Sequence, residues 1–476
     1  MGQSWIYLQS VKPASWISWD NSPEDFRLGL RLESLARKLT VGSIEHDHPH
    51  SLDETSVFRF LSGKAGIPFI LIAVLLDVLS LGVVIPVLAK LIKQLLNDST
   101  ADAAAYVGLF GTVWALMQFF SSPLMGALSD RFGRRPVLLI SAFGLGIDYI
   151  LMALAPNLAW LFIGRVLTGI TAASFSTASA YIADVTPPEN RSAAFGVFGA
   201  AFGLGFILGP ALGGYLGDID LRLPFWVSAA LTLANATYGF FILPESLPPE
   251  KRSPFRWSRA NPLGSLQLLR SHSGLLAMAV ILFCYQLAHH VFSSVFVLYT
   301  DERFHWDAGM VGFALSTVGV LNFIVQGLLI RPAIRTLGER ALVFVGLLGG
   351  IVGFSAYATV DNGEAFYAST VIFATMGFFN ASIQGLMSKR IDPSEQGQLS
   401  GANSSLNGIA GMIGPTLFAT VFQCTIDPKG PWYWPGAPFA LAAAILGIGL
   451  FLATLTIYAV GKREAGADNP SVTQTR

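Results

Sequence analysis

The sequence predicts an all-α membrane protein whose twelve transmembrane helices form two pseudo-symmetric six-helix halves. Composition is the first reason. Of 476 residues, 53% are hydrophobic and only 13% charged, where soluble domains carry roughly a quarter charged residues. Mean hydropathy is +0.55. The second reason is spacing: the apolar residues gather into twelve segments, each reaching the roughly twenty residues a bilayer crossing needs. The third is an internal echo. Gly133 and Gly338, Pro188 and Pro393, Gly196 and Gly401, Gly209 and Gly414, and Pro210 and Pro415 all stand 205 positions apart. Glycine and proline recurring at one offset mark a duplicated helical bundle.

Residues 1–63 form a polar N-terminal extension with Trp5, Trp16 and Trp19. They lack the apolar core and cleavage site of a secretory signal. They are read as disordered, or as an over-called start with initiation near Val57. His46, His48 and His50 are read as solvated tail rather than metal ligands. The N-terminal six-helix bundle, 64–243, has spans expected at 66–92, 103–126, 136–156, 158–183, 191–216 and 223–243. A cytoplasmic linker, 244–272, carries Pro248, Pro249, Lys251, Arg252, Arg256 and Arg259. The C-terminal six-helix bundle, 273–461, has spans expected at 273–300, 308–331, 340–360, 364–388, 397–423 and 435–461, before a cytoplasmic tail, 462–476.

Arginine and lysine concentrate in one set of alternate loops: Arg131, Arg134, Arg135, Arg191, the linker, Arg335, Arg340, Lys389, Arg390, Lys462 and Arg463. Cationic loops stay in the cytoplasm, so both termini are placed there. Zero net charge offers no argument for nucleic acid. Cys284 and Cys424 are isolated, with neither a disulfide framework nor metal-ligand spacing.

Charge inside the apolar frame carries the chemistry. Gly126-Ala-Leu-Ser-Asp130-Arg131-Phe-Gly133-Arg134-Arg135-Pro136 cannot continue into lipid, where each charge costs roughly 2.5–3.5 kcal/mol on the mildest scale. It reads as a short loop in which Gly133 permits the turn and Pro136 opens the next helix. Asp77, Asp148 and Arg165 fall well inside spans, so each must face water or a partner. They are candidates for proton carriage or substrate contact; a static ion pair locking the helices is the alternative. Gly205, Gly209, Gly213 and Gly217 recur every fourth residue, with Pro210 and Gly214 between them. This gives the fifth helix a face that another backbone can approach, with a proline able to kink it. Gln118, Gln286, His289, His290, Asn322, Gln326, Asn380 and Gln384 are candidates for a polar lining of a substrate cavity. One of the two histidines is expected at the cavity. Duplicated bundles of this kind are what transporters rock around a central site. No phosphate-binding loop, nucleophile motif or metal cluster supports an enzyme.

The loop at 126–136 matches Gly-x-x-x-Asp-Arg-x-Gly-Arg-Arg-Pro and resembles the signature of the major facilitator superfamily. Gly203-Leu-Gly-Phe-Ile-Leu-Gly-Pro210-Ala-Leu-Gly-Gly214 resembles the antiporter motif of that superfamily's fifth helix. Leu76-Asp-Val-Leu-Ser-Leu-Gly-Val-Val-Ile-Pro-Val-Leu88 resembles the first helix of bacterial tetracycline-efflux proteins. So do Gly146-Ile-Asp-Tyr149, Gly164-Arg-Val-Leu-Thr-Gly-Ile170, Tyr181-Ile-Ala-Asp184 and Gln396-Gly-Gln-Leu399. The likeness runs from about 66 to 460. It implies a major facilitator fold in the bacterial inner membrane, working as a monomer. It further implies export of a drug cation or metal–drug chelate in exchange for an entering proton, with no cofactor. Asp77, Asp148 and Arg165 occupy the family's membrane-embedded charged positions, and Gly126, Asp130, Arg131, Gly133, Arg134 and Arg135 its gating loop. Asp130 is expected against the start of the eleventh helix, near Gly397–Ser400, and Arg134 or Arg135 against Asp184 or Glu189. The chain departs from the family at Asn322, where a histidine is expected, and at Gly350, where an aspartate is. Asn cannot titrate near neutral pH, so proton coupling would rest on the first half. A transporter of a native metabolite (sugar, organic acid or siderophore-like compound) is the alternative. A non-transporting receptor on the same fold is disfavoured by Asp77 and Arg165.

Overall fold

The computed structural model describes residues 66–171, 174–187, 190–255, 261–272, 274–392, 395–427 and 432–458. The polar extension, Glu189, part of the linker and the C-terminal tail lie outside the described residues. Among those described there is helix and turn but no strand. The first half comprises α1 (Gly66–Leu95), α2 (Thr100–Phe132), α3 (Arg134–Ala153), α4 (Leu158–Val185), α5 (Arg191–Ile219) and α6 (Leu223–Ile242). The second half begins with α7 (Leu275–Phe304) and a run of 52 residues, Ala308–Thr359. At ~1.5 Å per residue this run is about 78 Å long, more than twice a hydrocarbon core of roughly 30 Å. It breaks at Gly338, whose backbone is non-helical (φ 79°, ψ 157°), and so supplies two spans, α8 (308–337) and α9 (339–359). Next come α10 (Gly363–Ser388), α11 (Gln396–Ile426) and α12 (Ala437–Thr456). Among the described residues eleven helices are long and apolar enough to cross a membrane, and with the break at Gly338 they are consistent with twelve crossings.

Polar caps fix several starts. Ser99 accepts from the Asp102 amide, Asp307 from Met310 and Asn362 from Ala365, at 3.3, 2.8 and 2.8 Å. Each satisfies a backbone donor that has no partner within its helix. The expected boundaries differ most for α2, which continues through Gly126–Phe132 rather than ending at 126. The predicted loop is one residue, Gly133 (φ 106°, ψ 159°). Its acid and first arginine ride on the last turns of a 33-residue helix, about 50 Å long, which carries them clear of a roughly 30 Å apolar layer.

The duplication is visible in the turns. Gly133 and Gly338 adopt the same class of positive-φ backbone. Arg134 pairs with Asp184 at 3.1 Å, and 205 positions on, Glu339 pairs with Lys389 at 2.7 Å. The ion pair between corresponding helices is kept with its signs exchanged.

The glycine face of α5 lies against α1, as its spacing predicts. A Cβ on Gly205 would sit 2.9 Å from Val78 Cβ, one on Gly209 2.7 Å from the Gly82 Cα, and one on Gly213 2.0 Å from the Val83 carbonyl oxygen. Gly214 turns instead toward α8, where a Cβ would meet the Ala308 carbonyl at 2.4 Å; a Cβ on Gly312 would meet that of Pro210 at 2.2 Å. The pseudo-symmetric seam joins α2 to α11. There Gly108 and Gly111 receive Pro415 and Ala419, and Thr112 meets the Thr416 hydroxyl at 2.8 Å.

Contacts between the halves gather toward one end. Lys93 pairs with Asp301 at 2.6 Å, Lys90 donates to the Trp306 carbonyl at 2.6 Å, and the Gly309 amide donates to Asp218 at 3.0 Å. Toward the Gly133 end, Gly126, Gly196, Gly199 and Gly397 have nothing within 4 Å of where a Cβ would stand. The halves are therefore sealed at the Lys93–Asp301 end and parted at the Gly133 end. Overpacking a seam costs roughly 1–3 kcal/mol or more. Gly213→Ala is expected to lower Tm in detergent and Gly199→Ala to leave it unchanged, as thermal-shift measurement of the two variants will register.

Candidate functional site

Asp148, Arg165 and Thr168 meet inside the first half. Gly164 makes this possible: a Cβ there would strike Met152 at 2.5 Å and the Asp148 carboxylate at 3.1 Å, so its absence lets α3 and α4 close up. Asp148 and Thr168 are fully buried, and Arg165 is 8% exposed. Arg165 Nη2 donates to Thr168 Oγ1 at 3.1 Å, and that hydroxyl donates to Asp148 Oδ2. Carboxylate and guanidinium are thus joined through a hydroxyl instead of in a direct ion pair. Asp148 Oδ1 and Arg165 Nε have no hydrogen-bond partner among the described residues.

Asp77 is only half-buried. It accepts a long hydrogen bond, 3.5 Å, from Asn235 on α6 and lines a small cleft with Ala73, Leu138, Ala142, Asn235 and Leu243. Tyr149, on α3 and 1% exposed, interacts electrostatically with Arg165, Asp148 and Asp77. Sequence reading found both acids and the arginine. It missed Thr168 and Asn235 as their partners and Tyr149 as a buried phenol within reach of the charge of both acids. Asp148-Tyr149 adjacency was the available signal for the last.

At the Gly133 turn, Arg134 binds Asp130 at 2.7 Å and Asp184 at 3.1 Å, as expected for Asp184. Ser246 joins the same carboxylate at 3.2 Å. Arg135 donates to the Phe240 carbonyl at 2.5 Å, while Arg131 lies over the Phe132 ring. The organiser is a residue the sequence reading passed over. Glu245 accepts from the backbone amides of Arg134 (2.8 Å), Arg135 (3.3 Å) and Leu247 (3.0 Å), so a carboxylate caps the positive end of α3. A Cβ on Gly133 would stand 2.2 Å from Glu245 Oε2; space and positive φ both demand glycine there. Asp130 points to Arg134, and the start of α11 at Gly397 is open, so the expected Asp130–α11 contact is not made at this parted end.

A family model described as the Major Facilitator Superfamily matches residues 70–415. The class C tetracycline resistance protein of Escherichia coli is 34% identical over 376 residues, covering 79% of this chain and 93% of that protein. The chain belongs to the major facilitator superfamily, in its tetracycline-efflux family. It is a multi-pass membrane transporter of a small molecule, not an enzyme. Two solved structures share the fold. The human organic anion transporter MFSD10 has a TM-score of 0.61 at 24% identity, over 82% of this chain and 99% of that one. A bacterial homologue of the human lysosomal transporter Spinster, inward-facing and unoccupied, has a TM-score of 0.66 at 16% identity, over 82% and 96%.

In this major facilitator chain the second half contributes uncharged polar groups. Asn322 and Gln326 both approach Gly377 on α10, the helix on which Gln384 donates to Asn380 at 2.9 Å. Gln326 lies within a π-helical turn, Ile324–Leu329, a distortion frequent at functional sites. Gln118 and Gln286 are half-buried and are not drawn into this group by any hydrogen bond among the described residues. The two histidines have different surroundings: His289 is exposed beside Tyr285 and Phe292, and His290 packs on Gly411 and Gly414 of α11. Gly350 packs against the ends of Leu446 and Met376, which a Cβ would meet at 2.6 Å and 3.1 Å.

Removing the hydroxyl that joins Asp148 to Arg165 leaves both with a further unmet buried bond, worth roughly 1–3 kcal/mol. Thr168→Val is therefore expected to lower Tm while Thr168→Ser keeps it, a comparison that thermal unfolding in one detergent decides.

Proposed function

We propose that this transporter exports tetracycline-like or other amphipathic drugs across a bacterial inner membrane in exchange for protons. It works as a monomer by alternating access and takes its substrate free or as a metal chelate. The observation that carries the reading is the asymmetry of buried charge. The first half holds Asp77 and Asp148 with incompletely met polar surroundings, and the second half has Asn322 and a tightly packed Gly350 where the family places titratable groups. Protons are therefore handled by the first half, and the Gln326–Asn380–Gln384 side supplies polar contacts to the drug. A ligand can shift the balance between two states only by its difference in affinity for them. Protonation of Asp77 or Asp148 biases the balance one way and drug binding the other.

In this reading the Gly133 end is cytoplasmic, as are both termini. The conformation described is then open inward, with Lys93–Asp301 and Lys90–Trp306 as the outer gate. Asp130 and Gly126 act when the inner end shuts, bringing the turn toward Gly397. The glycine face of α5 keeps the first half rigid as the seams move, without opening a leak.

A native metabolite as substrate is favoured by one observation, the lack of titratable groups at Asn322 and Gly350. Inverted vesicles separate the readings. Adding tetracycline with Mg²⁺ is expected to release protons from the lumen of wild-type vesicles and not from Asp77→Asn vesicles. Absence of release from inserted, folded wild-type protein would contradict tetracycline export and leave the metabolite.

A further inference from the structure

Twelve buried side-chain nitrogen and oxygen atoms have no hydrogen-bond partner among the described residues. Six of them belong to the interior of the first half: Ser141 Oγ, Asp148 Oδ1, the Tyr149 hydroxyl, Arg165 Nε, Thr177 Oγ1 and Asn235 Oδ1. Each costs roughly 1–3 kcal/mol if left dry, and proteins rarely leave such groups unmet. Buried water ordinarily satisfies them, at roughly one water per 27 residues.

A cleft opens beside Asp77 and Asn235 in the same half. The cleft beside Asp77 runs past Leu138, Ala142 and Asn235 to Leu243, which caps the Gly133 end of α6. Its free volume is about 30 Å³, enough for about two waters and far too small for a drug. All of its lining comes from α1, α3, α4, α6 and the residue that follows α6. It is therefore separate from the opening between the halves.

We propose that a short file of water inside the first half joins Asp77 to Asp148 through the Tyr149 phenol and reaches the Gly133 side by this cleft, giving protons a route distinct from the drug's. The phenol passes its proton to Asp148 Oδ1 as it takes one from the water beside Asp77. That water takes the proton that Asp77 carried, leaving Asp77 ionised and Asp148 protonated. The phenol ends neutral, and one proton has moved. The titratable and charged groups facing this interior are Asp77 on α1, Asp148 and Tyr149 on α3, and Arg165 and Tyr181 on α4. α6 offers the amide of Asn235, and α5 meets α1 with glycine. Tyr181 donates to the Pro244 carbonyl at 3.1 Å and is not in the file. The proposal rests on the proton-coupled reading above, and its test keeps the two apart.

Hydroxyl-radical footprinting with mass spectrometry oxidises buried side chains beside ordered water. Tyr149 is expected to be oxidised in the intact protein. Tyr357, equally buried but donating to Thr370 at 2.8 Å, is expected to be protected. Equal protection of both tyrosines overturns the water file whatever the protein transports. In inverted vesicles, Tyr149→Phe is expected to slow tetracycline-driven proton release at least about tenfold while tetracycline binding to the purified variant stays within about twofold. Wild-type proton release from Tyr149→Phe overturns the relay. No release from wild type overturns the coupling reading and the relay that depends on it, and the footprint still decides the file.

Discussion

Everything in this molecule hangs on the close approach of α5 to α1 and α8. Gly205, Gly209 and Gly213 bring α5 so near α1 that backbone meets backbone, and Gly214 and Pro210 do the same toward α8. In a bilayer the hydrophobic effect does not drive helices together, so such packing has to supply the association. On one side the contact binds α5 into the first half. On the other it seats that half against the second near the sealed end, where Lys93 and Asp301 hold the rim. The opposite end, freed of such contacts, stands apart.

That rigidity lets a polar interior persist where water is scarce. Thr168 divides its two bonding roles between Arg165 and Asp148, and Gly164 provides the clearance. The carboxylate keeps one oxygen unmet and can therefore exchange a partner without dismantling the helix pair. The second half is built oppositely, on a cluster of Phe292, Phe354, Tyr357, Phe373 and Phe439, with amides rather than acids near Asn322. The two halves share a frame and divide the chemistry.

The frame was legible because its determinants are periodic or local. Spacing of four announced the α5 face, charge announced the turn after α2, and the 205-residue echo announced the second half. The misses arose where meaning depends on distant chain. Glu245 looks like an ordinary linker acid until folding brings it onto the start of α3, and Asn235 is one more polar residue in α6 until Asp77 stands beside it. The loop at 126–136 was drawn too long because its charges were taken to end the helix. In fact a long helix can carry Asp130 and Arg131 beyond the membrane. The α8–α9 boundary, which Arg335 and Arg340 mark in the sequence, shows in the structure as non-helical Gly338 within an otherwise continuous helix.

The central claim is that the halves rock about these seams, opening one end as the other closes. Spin labels placed in pairs at Gly126→Cys and Gly397→Cys, and at Asp220→Cys and Glu364→Cys, report the two ends in a background free of Cys284 and Cys424. Electron–electron double resonance is the direct measurement, made with and without tetracycline at two values of pH. The account predicts that the 126–397 distance shortens whenever the 220–364 distance lengthens. Distances that change together, or that stay fixed in a protein shown to transport, would contradict it.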